Sequence, residues 1–149
     1  AETKLVYSGK ISDEVTLPEG TAIRTTDQKT RPAPSATDKA SSVALGEVVF
    51  KTNCMACHQQ NGQGIPSAFP PLAKSDYLNA DEIRAIKTIT GGLQGKVTVN
   101  GQTYDGVMPS WSLPDEDIAN VINYLYANWG NSGRTVTVDQ VKANRVTPK

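Results

Sequence analysis

The chain has 149 residues, room for one domain with extensions, and its 15 basic and 15 acidic side chains cancel. That balance gives no footing for nucleic acid, and no long run of one sign suggests a steering tail. Mean hydropathy is −0.39, no apolar run reaches the length of a membrane span, and an apolar share of 38% with 6% aromatic suits a domain that completes a thin core with a large apolar cofactor.

Residues 1–40 do not read as a domain. Lys4–Lys10 has the composition of one short strand. After it come Pro18, Gly20, Pro32 and Pro34 among Thr, Ser, Asp and Lys, and Thr25–Ser42 holds almost no large apolar side chain. Such a stretch cannot bury enough surface to order itself and reads as an extended linker. As a linker it is a tether onto another domain; the plainer alternative is a frayed terminus. The opening Ala1-Glu2-Thr3 lacks a charged segment followed by an apolar one. The expectation is a removed signal peptide, or a piece of a longer exported protein.

From Ser41 or Ser42 the pattern turns helical, with Val43, Gly46, Val49, Phe50 and Asn53 at three- and four-residue spacing. Gly46 in mid-helix costs roughly 1 kcal/mol against alanine, so close approach of another helix is expected there. The helix delivers Cys54-Met55-Ala56-Cys57-His58, a C-x-x-C-H run. That run is the attachment signature of a c-type haem. Two thiols at this spacing can each add to one vinyl group of the same porphyrin, and the following imidazole is held beneath the iron. Thioredoxin-like and zinc sites share C-x-x-C. Here, however, there is no other cysteine, no βαβ pattern, and no second histidine. One covalent haem c per chain is therefore expected, with no disulfide. Attachment of this kind places the protein outside the cytoplasm, in the periplasm of a bacterium.

A single histidine rules out bis-histidine ligation within the chain. Of the two methionines, Met55 lies between the linked cysteines and cannot reach round. Met108 lies in Gly106-Val107-Met108-Pro109-Ser110-Trp111, a loop-like segment. A lone methionine is usually core filler; the loop setting and the lack of a competitor make Met108 the second axial ligand. His58 and Met108 are thus the expected iron ligands, a pair that raises the reduction potential.

Gln59–Ala68 is a loop rich in glycine, and Phe69-Pro70-Pro71-Leu72 is expected to close over the haem edge. A carbonyl near Pro70 is the expected acceptor for the second ring nitrogen of His58. Asn79-Ala80-Asp81-Glu82 reads as a helix start with Asn79 as the cap and Glu82 three residues later. Ile83, Ile86 and Ile89 form its apolar stripe, and Gly91-Gly92 ends it. Lys96–Val99, Asn100-Gly101 and Gln102–Tyr104 read as a short hairpin. Pro114 and the acids Asp115, Glu116 and Asp117 open the next helix, whose inner face is Ile118, Val121, Ile122 and Leu125 with Tyr124 beside them. Thr137-x-x-Gln140 caps one further short turn of helix. Expected pocket walls are Ile65, Phe69, Leu72, Leu78, Ile86, Ile89 and Trp111, with Tyr104 and Trp111 placed to hold haem propionates.

Residues from about 42 to 130 resemble a class I c-type cytochrome. The resemblance is carried by the helix with Gly46 and Phe50, the Cys54–His58 run, Pro70-Pro71-Leu72, Met108-Pro109, and the helix with Ile118, Val121, Tyr124 and Leu125. It implies a mostly α fold, helices around one covalent haem, with a short β-hairpin before the methionine loop and an extended N-terminal linker. It also implies that the first and last helices cross, Gly46 meeting Tyr124. The organisation expected is a linker over 1–40, a cytochrome c domain over 41–131 and a tail over 132–149. His58–Gly64, Phe69–Leu72, Tyr104–Pro109 and Asn128–Asn131 are further similar to the haem domain at the C-terminus of some copper nitrite reductases. Leu5–Gly9 is similar to the end of their cupredoxin part. That branch implies delivery of electrons from a small redox donor protein to a copper centre in nitrite reductase domains, joined or docked, within denitrification. The copper would lie only upstream; this chain has neither copper ligands nor a catalytic site of its own. Alternatives are a stand-alone shuttle, a haem domain of a quinoprotein dehydrogenase or terminal oxidase, and, from another class, a haem peroxidase or gas sensor.

Overall fold

The computed structural model describes residues 38–147; the strand expected at Lys4–Lys10 and nearly all of the linker lie outside the described residues. Helix α1 spans Lys39–Asn53. It begins just before the expected Ser41, because the Asp38 carboxylate accepts from the backbone N–H groups of Ala40 and Ser41 and from the Ser41 hydroxyl. Ser42, Gly46, Val49 and Phe50 form its buried face. A single turn, α2 (Met55–His58), follows directly. The chain then runs without regular structure, apart from a bridge between Ile65 and Phe69, to α3 (Asp76–Ala80).

Helix α3 was not expected, and it corrects the helix start expected at Asn79. Ser75 caps α3, its hydroxyl accepting from Leu78 N–H, and Asp81 caps the next helix, α4 (Glu82–Gly91), accepting from Ile83 and Arg84 N–H. Asn79 lies within α3 and donates instead to the Ser75 carbonyl and to Asn131. Two short helices meeting at an aspartate look, in sequence, like one helix with an asparagine cap. Gly92 ends α4 at φ 77°, as the Gly91-Gly92 pair suggested.

The hairpin is longer than expected. Strands β1 (Leu93–Val99) and β2 (Gln102–Met108) pair antiparallel over their whole length, with Leu93 opposite Met108 and Val97 opposite Tyr104. Asn100 and Gly101 both take positive φ, the signature of a tight hairpin turn. The turn is braced on α3: Asp76 N–H donates to the Asn100 side chain, and Asn100 N–H donates to the Asp76 carboxylate. Met108 is therefore the last residue of a strand rather than part of a free loop.

Helix α5 (Asp115–Ala127) is the centre of the molecule; every residue from Ile118 to Tyr126 is buried. Three acids occupy its first turn, where the helix dipole favours them, and no side chain caps it. It crosses α1 at Gly46. Phe50, Tyr124 and Trp129 stack beside that crossing, with ring centroids 5.2–5.5 Å apart, an arrangement worth about 1 kcal/mol per pair beyond burial. A last helix, α6 (Val138–Asn144), has the expected Thr137–Gln140 capping box and buries Val141. No helix among the described residues is long and apolar enough to cross a membrane.

Candidate functional site

The Cys54–His58 run is presented by the junction of α1 and α2. Cys54 N–H still bonds the Phe50 carbonyl, and His58 N–H bonds the Cys54 carbonyl. The rigid α1–α5 crossing therefore fixes where both cysteines and the histidine stand. Between them they line two adjoining apolar lobes, Cys57 the first, Cys54 the second and His58 both. His58, Pro70, Leu93, Val97 and Met108 belong to both lobes.

The second wall is the hairpin. Side chains alternate along a strand, and the alternation here puts Leu93, Gly95, Val97 and Val99 of β1 and Tyr104, Gly106 and Met108 of β2 on the cavity side. Gly95 and Gly106 are directly paired. A β-carbon on Gly95 would meet nothing within 4 Å, and one on Gly106 only the Ala68 carbonyl at 3.9 Å. The paired glycines leave flat open room against the sheet. Helix α4 supplies Ala85, Thr88 and Ile89, and α3 supplies Tyr77 and Leu78.

His58 is 7% exposed. Its Nδ1 lies 2.9 Å from the Pro70 carbonyl oxygen. A carbonyl can only accept, so Nδ1 carries the proton and Nε2 keeps its lone pair. Burial pushes the imidazole pKa below its ordinary value, against the smaller opposing effect of the Pro70 bond. Burial thus favours the neutral ring and the Pro70 bond orients it, as a metal-ligating imidazole requires. Burial, and then the nearby Cys57, push the Cys54 thiol up to about 11. Both cysteines are free of any disulfide.

These residues fit a haem. Two thiols, one neutral ring nitrogen and one thioether face a cavity that is otherwise apolar, and no group of three or more His, Cys, Asp or Glu among the described residues offers a competing metal site.

Of the residues singled out from sequence, Cys54, Cys57, His58, Pro70, Leu72, Tyr104 and Met108 line the cavity, as do Phe69, Leu78 and Ile89. Trp111 does not. It packs half-buried against the hydrophobic core, and its backbone N–H donates to the Ile89 carbonyl. Ile86 is fully buried in the core without lining the cavity, and Ile65 is 39% exposed. Among the residues missed are Tyr77, Thr88, Leu93, Val97 and Val99. The alternation of Leu93, Val97 and Val99 was a usable signal, obscured by Gly92 and Gly95 at the start of the strand.

The chain matches the Cytochrome c family over residues 43–129. It is 42% identical over 109 residues to cytochrome c-552 of Thermus thermophilus, covering 64% of this chain and 83% of that protein. It is 27% identical over 136 residues to the cytochrome c subunit of a quinone alcohol dehydrogenase from Gluconobacter oxydans, covering 88% of this chain and 27% of that one. It is also 32% identical over 96 residues to a cbb3-type cytochrome c oxidase subunit of an Azospirillum strain, covering 58% of this chain and 29% of the subunit.

Proposed function

The chain belongs to the cytochrome c family, a mostly helical domain with one small two-stranded antiparallel sheet, and on that premise we propose that it is a single-haem electron-transfer module. Family membership implies haem c. In this reading Cys54 and Cys57 would hold it by thioether bonds, and His58 Nε2 and Met108 Sδ would be its iron donors. When bound, the haem supplies one-electron redox chemistry at a potential raised by the thioether.

The observation that carries the reading is the pair of ligand-type side chains in one apolar cavity, the histidine already oriented by Pro70. Were both donors supplied by the chain, no iron position would be left for a substrate, which favours a carrier over a peroxidase or gas sensor. Leu72, Leu78, Ile89 and Val97 exclude water from the site, and exclusion of water disfavours the more highly charged oxidised state. Of the residues lining the first lobe, Ala68, Gly106 and Val107 are exposed, Val107 at 65%. This uncharged rim is the face offered to redox partners.

We further propose that the acceptor is the copper centre of a nitrite reductase whose cupredoxin-type domains are joined to or docked on this one, in the periplasm. Support comes from the likeness of Leu5–Gly9, His58–Gly64, Tyr104–Pro109 and Asn128–Asn131 to the haem domains of such enzymes. Residues 1–40 then serve as the tether, 41–131 as the haem domain and 132–149 as a tail. A second reading has support of its own. Relatives named as dehydrogenase and oxidase subunits favour a haem module of one of those assemblies, and a relative matched over 83% of its length favours a separate carrier.

Intact mass and metal content of the native polypeptide separate these readings. A haem-staining product far heavier than 15.9 kDa that also holds copper supports the fused reductase. A product of about this chain's mass with one haem and no copper contradicts the fusion.

A further inference from the structure

The family match ends at residue 129, yet the chain goes on and folds back across the molecule. We infer that this added segment, through Arg145, is a clasp that keeps Met108 on the iron, which makes Arg145 a positioning residue. The inference rests on the reading of Met108 as an axial donor.

The segment is anchored along its length. Asn131 donates to the Leu72 and Leu125 carbonyls. Asn123, on α5, accepts from Val136 N–H and donates to the Val136 carbonyl. Val136 and Val141 are fully buried. Past α6, Val146 N–H donates to the Thr90 hydroxyl at 3.0 Å, and its side chain lies where a β-carbon on Gly91 would be 3.0 Å from it. Arg145 reaches two neighbours at once, the Asp115 carboxylate and the Leu113 carbonyl.

These last contacts bear on Met108. Residues 109–113 connect the end of β2 to the start of α5. Among the described residues, two hydrogen bonds tie this connection to other elements: Trp111 N–H to the Ile89 carbonyl, and Arg145 to the Leu113 carbonyl. The first holds the middle of the connection to α4, and the second holds its far end. Both trace back to adjacent residues of α4, since Ile89 accepts from Trp111 and Thr90 accepts from Val146. The Arg145–Asp115 pair is 30% and 23% exposed, less than Lys51–Glu47 or Arg134–Glu82, so solvent screens it less. A guanidinium is suited to this double contact because its planar fork presents several donors at fixed angles.

The connection follows directly on Met108, so an outward movement of it would carry the thioether with it. Each tie lowers the population of that opened form. Loss of one hydrogen bond to a charged group raises such a population by about tenfold.

The test is carbon monoxide binding to the reduced, haem-loaded full chain at neutral pH, with the ferric absorption band of the iron–thioether bond as a second readout. Arg145→Ala is expected to bind carbon monoxide about tenfold faster than wild type and to weaken the band. Arg145→Lys keeps a charge beside Asp115 without the fork and should fall between the two. Arg134→Ala, which removes an exposed ion pair of the same segment, should leave the rate at the wild-type value. If Arg145→Ala and Arg145→Lys both bind at the wild-type rate with the band intact, the clasp is overturned while the ligand reading stands. Rapid, complete binding by the wild type would overturn the ligand reading, and the clasp with it. Should Arg145→Ala fail to hold haem, Arg145→Lys against Arg134→Ala decides.

Discussion

Gly46 of the first helix lies against the backbone of Asn120 in the central one, so closely that a β-carbon at position 46 would stand 1.9 Å from the Asn120 carbonyl oxygen and 2.7 Å from Tyr124 Cβ. This contact explains a glycine that helix propensity disfavours. It also sets where Cys54, Cys57 and His58 emerge. Gly46→Ala should gain about 1 kcal/mol of helix propensity and lose more to overpacking, for a net destabilisation of about 2 kcal/mol or more. Denaturant unfolding of the haem-loaded protein measures it; an unchanged midpoint would mean that the helices can separate freely.

Asn123 ties the added segment to the core through both groups of Val136 and through the Ser42 hydroxyl. All three residues are buried. Asn123→Ala would leave the Val136 N–H and carbonyl unpaired, at a cost of about 2–4 kcal/mol. Hydrogen exchange should then show faster opening of α6 than of α1.

Tyr126 is fully buried and donates to the Leu78 carbonyl. Burial, with the negative charge of Glu82, pushes its pKa from 10.0 to about 12. The folded state therefore holds this proton more tightly than the unfolded state does. The stabilisation is full below pH 10 and is lost as pH rises towards 12. Tyr126→Phe should be less stable than wild type at neutral pH. The difference between the two should shrink through that alkaline window, as unfolding titrations at several pH values would reveal.

Gly92 sits at φ 77°, and a β-carbon there would be 2.8 Å from the Met108 carbonyl oxygen. Gly92→Ala combines backbone strain with a push on the strand end that carries Met108. The expected result is a weakened iron–thioether band with haem still attached. An unaltered band would show that the strand end yields without moving the sulfur.

Much of this was legible from sequence because the signals were local. Cys54–His58 is a contiguous chemical signature, the capping box at Thr137 and Gln140 is a short pattern, and Asn100-Gly101 names its own turn. What was not legible depends on partners distant in sequence. Asn79 looked like a cap because its serine competitor, Ser75, and the true second cap, Asp81, differ from it only in how the chain turns between them. Met108 looked like a loop residue because Gly106 and Pro109 flank it. Pairing with Leu93 makes it a strand end, and Leu93 itself follows a glycine pair that reads as a break. Trp111 stands close to Met108 in sequence, and its backbone bond to Ile89 depends on a partner more than twenty residues away. The tail's grip through Arg145 had no sequence signal, since a lone arginine near the end of a polar segment reads as solvated.

The proposed one-electron carrier stands on Met108 as the sixth donor of the haem iron. Its most direct test is the reduction potential of Met108→Ala beside that of the wild type, with haem attachment checked by mass. The haem should stay covalently bound, the potential should fall, and the iron should become open to added ligands. An unchanged potential with the iron still closed would show that Met108 is not the ligand, and the electron-carrier reading built on it would fall.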